Sequence, residues 1–150
     1  MWQKNVQKSR YVIKNRQKYI GDPHNVIARS SWERSAFIWC ERNPNVIKWA
    51  SENVAVPYVN PIDKKTHKYI MDLMVWWADG SISIVEIKPK YQTKPPATRK
   101  RVTQKYIKEA KEYVKNESKW KAAGRLAKAR GWKFEIWTED VMRQKGIRIV

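Results

Sequence analysis

Two runs rich in β-branched and aromatic residues, 68–77 and 81–88, flank the turn sequence Ala78-Asp79-Gly80, and this arrangement restricts the fold more than any other segment of the chain. It reads as a β-hairpin. Side chains alternate faces along a strand, so Ile70, Asp72, Met74 and Trp76 share one face of the first run, and Ile82, Ile84, Glu86 and Lys88 share one face of the second. The turn decides which residues meet. A two-residue turn at Asp79-Gly80 pairs Ala78 with Ser81 and sends Asp72 and Glu86 to opposite sides of the sheet. A three-residue turn with Gly80 in the left-handed region pairs Trp77 with Ser81 and sets Asp72 across from Glu86. The sequence permits both. The second gathers Met74, Trp76, Ile82 and Ile84 into one apolar face, closed at one end by two carboxylates and Lys88, and it is the expected register.

Around the hairpin, Ser30-Ser31-Trp32-Glu33 has the Ser-x-x-Glu form of a capping box. Ala36, Phe37, Trp39 and Cys40 follow at helical spacing and Pro44 closes the pattern, which predicts a helix over 31–43. Residues 53–59, with Pro57 inside, read as an edge or bulged strand. After Pro89, Pro95 and Pro96 mark a loop, Val102, Tyr106, Ile107, Ala110, Tyr113 and Val114 recur at the spacing of a buried helical stripe. Ser118 can cap a further helix carrying Trp120, Ala123, Leu126 and Ala127, stopped by Gly131. Residues 132–137 alternate as a fourth strand, and Thr138 can cap a short helix through Gln144. The expected order is α-β-β-β-α-α-β-α, a single α+β (α/β) domain without repeats or linkers.

Charge narrows the partner. The chain has 32 Lys+Arg against 14 Asp+Glu, a formal net charge of +18. Residues 87–130 alone hold fifteen Lys/Arg against Glu109, Glu112 and Glu117, which is +12 of that total. A second basic stretch, 4–18, has no acid, so residues 1–20 are expected to form a basic arm and residues 21–150 the domain. A hydrophobic fraction of 42% supplies a core, so disorder does not account for the charge. The lone Cys40 makes an internal disulfide impossible and no zinc ligand set exists. No apolar run approaches the ~20 residues of a membrane span, and the first twenty residues lack the apolar region of a signal peptide. A soluble, intracellular protein is expected, with a polyanion as partner; composition alone does not choose among nucleic acid, an anionic membrane surface and an acidic protein.

The acids are the more specific signal. Two carboxylates directly opposite each other repel unless a cation, a shared proton or a lysine offsets them. Hard oxygen ligands suit Mg²⁺ or Mn²⁺, which bind through one or two carboxylates plus waters and substrate phosphate oxygens. Such an ion polarises a phosphoryl group and acidifies its water. Lys88, two residues beyond Glu86 on the same face, would stand near the attacking water or the developing phosphorane charge.

Asp72, then Glu86-Ile87-Lys88 closing a second β-run, with a Glu33-bearing helix before and a basic helix after, resemble the PD-(D/E)xK nuclease superfamily. The resemblance implies a single-domain restriction-endonuclease-like αβββαβ core, a mixed sheet flanked by helices, here with one extra helix after the third strand. It carries catalytic roles to Glu33, Asp72, Glu86 and Lys88, and metal-binding roles to Asp72, Glu86, Glu33 and the Ile87 carbonyl. Met71 rather than proline precedes Asp72, so the name-giving dipeptide is incomplete, and the capping box by itself accounts for Glu33. Tyr19-Ile20-Gly21-Asp22-Pro23, Arg29-Ser30-Ser31-Trp32-Glu33, Val56-Pro57-Tyr58, Glu86-Ile87-Lys88-Pro89-Lys90 and Lys119-Trp120-Lys121-Ala122-Ala123 are in addition similar, in order and spacing, to the head completion nucleases of T-even-type phages. The segment 56–88 is also similar to the junction-resolving endonuclease I of T-odd phages.

These resemblances imply an Mg²⁺- or Mn²⁺-dependent DNA endonuclease acting on packaged-DNA ends or branched DNA. The alternatives are a non-catalytic DNA-binding or capsid-associated protein and a Holliday-junction resolvase. The implied partners are DNA and phage head or portal proteins, with no membrane, in the cytoplasm of an infected bacterial host or in the virion. Junction cleavage would favour a dimer, because two strands must be cut. Arg29 is expected on a phosphate, on a metal-site carboxylate, or on a solvated turn. Lys90, Lys94, Arg99, Lys100, Arg101, Lys105 and Lys108 would meet phosphates, which contributes affinity without sequence preference, and Gln104 would contact the scissile phosphate.

Overall fold

Gly80 takes φ 89°, the Trp77 N–H donates to the Ser81 carbonyl at 2.9 Å, and the Gly80 N–H donates to the Trp77 carbonyl at 3.0 Å. Residues 78–80 therefore form the three-residue turn, and the register that follows is the expected one. The computed structural model describes residues 8–98 and 100–149. In chain order the elements are β1 (Ser9–Arg10), β2 (Ile27–Ala28), α1 (Ser31–Arg42), β3 (Val46–Ser51), β4 (Ala55–Val59), β5 (Thr66–Ile70), β6 (Leu73–Trp77), β7 (Ile82–Ile87), α2 (Gln104–Arg130), β8 (Lys133–Trp137) and α3 (Glu139–Gln144). The main sheet runs β3-β6-β7-β8, antiparallel except for β8, which lies parallel to β7. A parallel neighbour needs a crossover, and α2 supplies it. This is the α+β core with a mixed sheet that the sequence implies.

Three elements depart from the sequence reading. The first strand of the αβββαβ core is β3, not 53–59; the latter, as β4, pairs with β5 in a separate two-stranded sheet. The run 68–77 is two strands rather than one. It breaks at Met71-Asp72 because the Met71 N–H turns to the Val54 carbonyl at 2.9 Å, while the Asp72 carboxylate takes the Ile87 N–H at 2.8 Å. Ser118 starts no helix, since α2 runs unbroken for 27 residues from the Thr103 cap to Gly131 at φ 73°. A serine caps only where the chain ahead of it is not already helical.

The stripe expected along 102–114 is not buried either. Val102, Ile107 and Val114 are 66%, 36% and 43% exposed, whereas the buried residues of α2 are Asn116, Ala122, Ala123 and Ala127. Alanines let the second half of the helix lie close against the sheet and β4, and the first half extends past them.

The sheet has two covered faces. On the α1 side, Leu73, Val75, Val85, Ile87 and Trp137 pack with Phe37, Cys40, Trp49 and Met142. On the α2 side, Met74 and Ile84 pack with Val56, Tyr58, Tyr69, Met71, Ala122, Ala123 and Ala127. Burial pushes the Cys40 thiol up, which suits a packing residue. Residues 1–7 of the expected arm lie outside the described residues. From Ser9 the segment pairs with Ile27–Ala28 and buries Tyr11 and Ile13 in the α1-side core. Tyr11 meets Phe37 and Trp49 edge-on at 5.4 and 6.1 Å, and Phe37 stacks on Trp49 at 5.0 Å. Glu41 fastens this segment by accepting from the Tyr11 hydroxyl and from the N–H groups of Lys14 and Asn15 at 2.8 and 2.7 Å. Lys18 Nζ donates to the Cys40 and Asn43 carbonyls at 2.8 and 2.9 Å, where the end of α1 favours a cation. Among the described residues no helix is long and apolar enough to cross a membrane.

Phe37 is the hinge of that aromatic cluster. Replacing it by Ala should cost about 3–5 kcal/mol, read as a lowered midpoint with unchanged slope in urea denaturation followed by circular dichroism.

Candidate active site

The last β6–β7 pair is Leu73 with Val85. One residue further on each strand stand Asp72 and Glu86, on the α2 side of the sheet with Met74 and Ile84. The break at Met71-Asp72 has a second effect here. In an unbroken strand Tyr69 and Asp72, three residues apart, would face opposite ways; with the chain leaving the ladder, both attend the same corner. The Tyr69 hydroxyl donates to Glu86 Oε2 at 2.7 Å, and Lys88 Nζ lies 3.5 Å from Glu86 Oε1. Glu86 is 6% exposed, so these contacts operate away from bulk water and are correspondingly stronger. Burial raises the Tyr69 phenol far above its ordinary range, helped by Glu86 through charge and hydrogen bond and by the charge of Asp72. The protonated Tyr69 hydroxyl is thereby favoured as the donor to Glu86. Ile87 is fully buried at the end of β7, and its N–H belongs to Asp72.

Glu33 sits at the start of α1 and is 1% exposed. The capping box is formed from one side: Ser30 Oγ accepts the Glu33 N–H at 3.1 Å. The Glu33 carboxylate instead accepts from the Ser30 hydroxyl at 3.2 Å and the Arg29 N–H at 3.4 Å. The Arg29 guanidinium pairs with Glu52, a carboxylate outside the expected metal-site set, with a second contact at 3.2 Å. The Glu52 hydrogen bond is the main influence raising Arg29 above its ordinary value, and the charges of Glu33 and Asp72 add to it. Arg29 is thus electrostatically tied to both. Among the described residues no three His, Cys, Asp or Glu side chains are grouped to hold a metal ion. The donor set at the sheet corner is the Asp72–Glu86 pair, and two carboxylates suit a hard divalent cation that completes its shell with water and substrate oxygens.

The residues expected on DNA fare differently. Lys90 is turned to α3, with its N–H on Glu139 at 2.7 Å and Nζ on Asp140 at 3.1 Å. Lys105 pairs loosely with Glu109 at 3.9 Å. Lys100 and Arg101 are exposed just before α2, and Arg99 lies outside the described residues. Lys94 and Lys108 line a cavity of about 490 Å³ along α2, and Gln104 and Lys108 line a neighbouring groove of about 330 Å³.

Three residues of the site region escape a reading by sequence alone. Tyr69 is hidden because alternation places it opposite Asp72. Glu52, at φ 52°, reaches Arg29 only through the turn after β3. Lys119 carries no mark within a long basic run, yet its Nζ lies 5.3 Å from the Tyr69 ring centre and 5.8 Å from that of Tyr58. Burial lowers its pKa, reinforced by Lys115 and Lys88 and partly offset by Glu86 and Glu112.

Comparison with known proteins adds a family. The profile described as TnsA-like endonuclease N terminal matches residues 43–139, a span that includes every strand of the main sheet together with Asp72, Glu86 and Lys88. The chain is also 38% identical over 143 residues to the Head completion nuclease of Enterobacteria phage T4, an alignment covering 93% of this chain and 95% of that protein. No solved structure matches.

Removing the Tyr69 hydroxyl leaves the ring and deletes its bond to Glu86. Tyr69→Phe should therefore lose about 1.5–3 kcal/mol of stability, the range for a hydrogen bond to a charged group. Urea denaturation checks this, and a loss under about 0.5 kcal/mol would mean that Glu86 finds other support.

Proposed function

This chain belongs to the family of TnsA-like N-terminal endonuclease domains and is a nuclease; on that premise we propose that it hydrolyses DNA backbone phosphodiesters with a divalent metal ion at Asp72 and Glu86. The single observation that carries the assignment to this corner is the pair of carboxylates one residue beyond the last β6–β7 pair, with the Tyr69 hydroxyl on Glu86 at 2.7 Å and Lys88 3.5 Å from it. Mg²⁺ or Mn²⁺, held by Asp72 and Glu86 with the Ile87 carbonyl and with Glu33 aiding a second ion or its water, would polarise the phosphoryl group and acidify water. Lys88 orients the nucleophile and faces the negative charge that develops on the phosphate. Tyr69 holds Glu86 in place through its hydroxyl, and Arg29 with Glu52 steadies the Glu33 end.

The relative from phage T4 is a head completion nuclease, which supports a phage setting for this chain. We take the substrate to be packaged-DNA ends or branched DNA, and the protein partners to be phage head or portal components, in the cytoplasm of an infected bacterial host or in the virion. If the substrate is a four-way junction, two chains must act together.

Linear, circular, single-stranded and four-way-junction DNA, each offered with Mg²⁺ and then with EDTA, test the reaction and its substrate. The wild-type chain should cut with Mg²⁺ and stop in EDTA. Asp72→Ala should lower the rate about a thousandfold or more while still shifting DNA in a binding assay. Cutting by Asp72→Ala at the wild-type rate would remove the assignment.

A further inference from the structure

The first half of α2 buries little, yet its lysines are not scattered. Lys108, Lys111, Lys115 and Lys119 fall three and four residues apart, so they form a line on one helix face. At 1.5 Å per residue that line is about 16 Å long. Lys108, Lys111 and Lys115 line the open groove opposite Asn60 and Ile62, at the tip of the β4–β5 hairpin. Lys119 continues the line inward, over the rings of Tyr58 and Tyr69, to the tyrosine that holds Glu86.

A lysine-rich helix usually has a solvated face whose charges pair along the helix. Away from the groove this happens here, with Lys121 on Glu117 at 3.1 Å and Lys105 beside Glu109. The four groove lysines make no ion pair with the described residues, although Glu112 lines the same groove within one turn of Lys108 and Lys115. Lys119 is in addition desolvated beside two other cations, Lys115 and Lys88. With Glu112 as the one acid lining the groove against three lysines, the groove keeps a net positive charge that attracts an outside anion. The step of one helical turn is comparable to the distance between neighbouring phosphates of one strand.

We propose that this lysine line is a strand-guiding groove: Lys108, Lys111 and Lys115 hold successive phosphates of the DNA strand to be cut, and Lys119 takes the phosphate next to the one that reacts. The proposal rests on the nuclease reading and adds the path by which the substrate reaches the carboxylates.

Counterion release gives a test independent of cleavage. In the Asp72→Ala background, binding of fluorescent single-stranded and duplex DNA is measured by anisotropy across a salt series. Two triple variants remove equal charge: Lys108→Gln, Lys111→Gln and Lys115→Gln in the groove, and, as a control outside it toward the end of α2, Lys121→Gln, Arg125→Gln and Lys128→Gln. Glutamine keeps helix propensity close to that of lysine. The groove triple should flatten the slope of log K against log salt by about 2 on single strands and about 2.7 on duplex, while the control triple changes it by less than about 0.5. Lys119→Met, which keeps the packing over the two rings, should remove a further slope of about 0.7–0.9, and Lys119→Arg should restore it. Equal slopes for the two triples, or an unchanged slope for Lys119→Met, would overturn the groove. Cutting by the wild-type chain reports on the nuclease reading separately: a groove triple that cuts and binds like wild type removes the groove and leaves that reading intact.

Discussion

The Asp72 carboxylate accepts the Ile87 N–H, and much of the molecule's layout depends on this one hydrogen bond. It occupies the backbone donor that a continued β6–β7 ladder would use, so the strand pair ends at Leu73 and Val85. The chain before Asp72 is then released from the main sheet to pair as β5 with β4. That small sheet carries Tyr58 and Tyr69 to the α2 side, where they complete the apolar layer. The same bond orients Asp72 beside Glu86. Fold and site are therefore consequences of one local choice between a ladder bond and a side-chain bond.

The corner is also where unlike electrostatic demands are reconciled. Around Glu86 the Tyr69 hydroxyl donates at 2.7 Å, Lys88 stands at 3.5 Å and Lys119 lies above the Tyr69 ring, while Asp72 takes the Ile87 N–H. On the α1 side, Arg29 balances Glu33 and Glu52. The proposed reaction uses both signs of this charge, with the carboxylates offered to a cation and the lysines to a phosphate.

The long helix divides its labour by residue size. Its second half presents Ala122, Ala123 and Ala127, which bring it close to the sheet; its first half presents lysines and exposed Ile107 and Val114. An unbroken helix carries the rigidity of the packed half into the exposed half, so the basic face stands at a fixed place relative to the carboxylates.

Much was legible from the residues in order. The Ala78-Asp79-Gly80 turn, the apolar alternation on either side and the Ser30 cap are local, so the hairpin with its expected register, the helix that begins at Ser31 and the strand at 133–137 were legible in sequence. The carboxylates themselves were legible for the same reason, since a register fixes which side chains share a face. Tertiary structure decided the rest. Whether residues 68–77 make one strand or two depends on Asp72 finding the Ile87 N–H fifteen residues away, and alternation cannot see a break made by a distant partner. Whether the stripe at 102–114 is buried depends on what lies opposite it, and periodicity records which residues share a face but not whether anything covers it. Tyr69, Glu52 and Lys119 joined the site for that reason too: each acts through a contact between elements far apart in the chain, where chemistry is set by position in space.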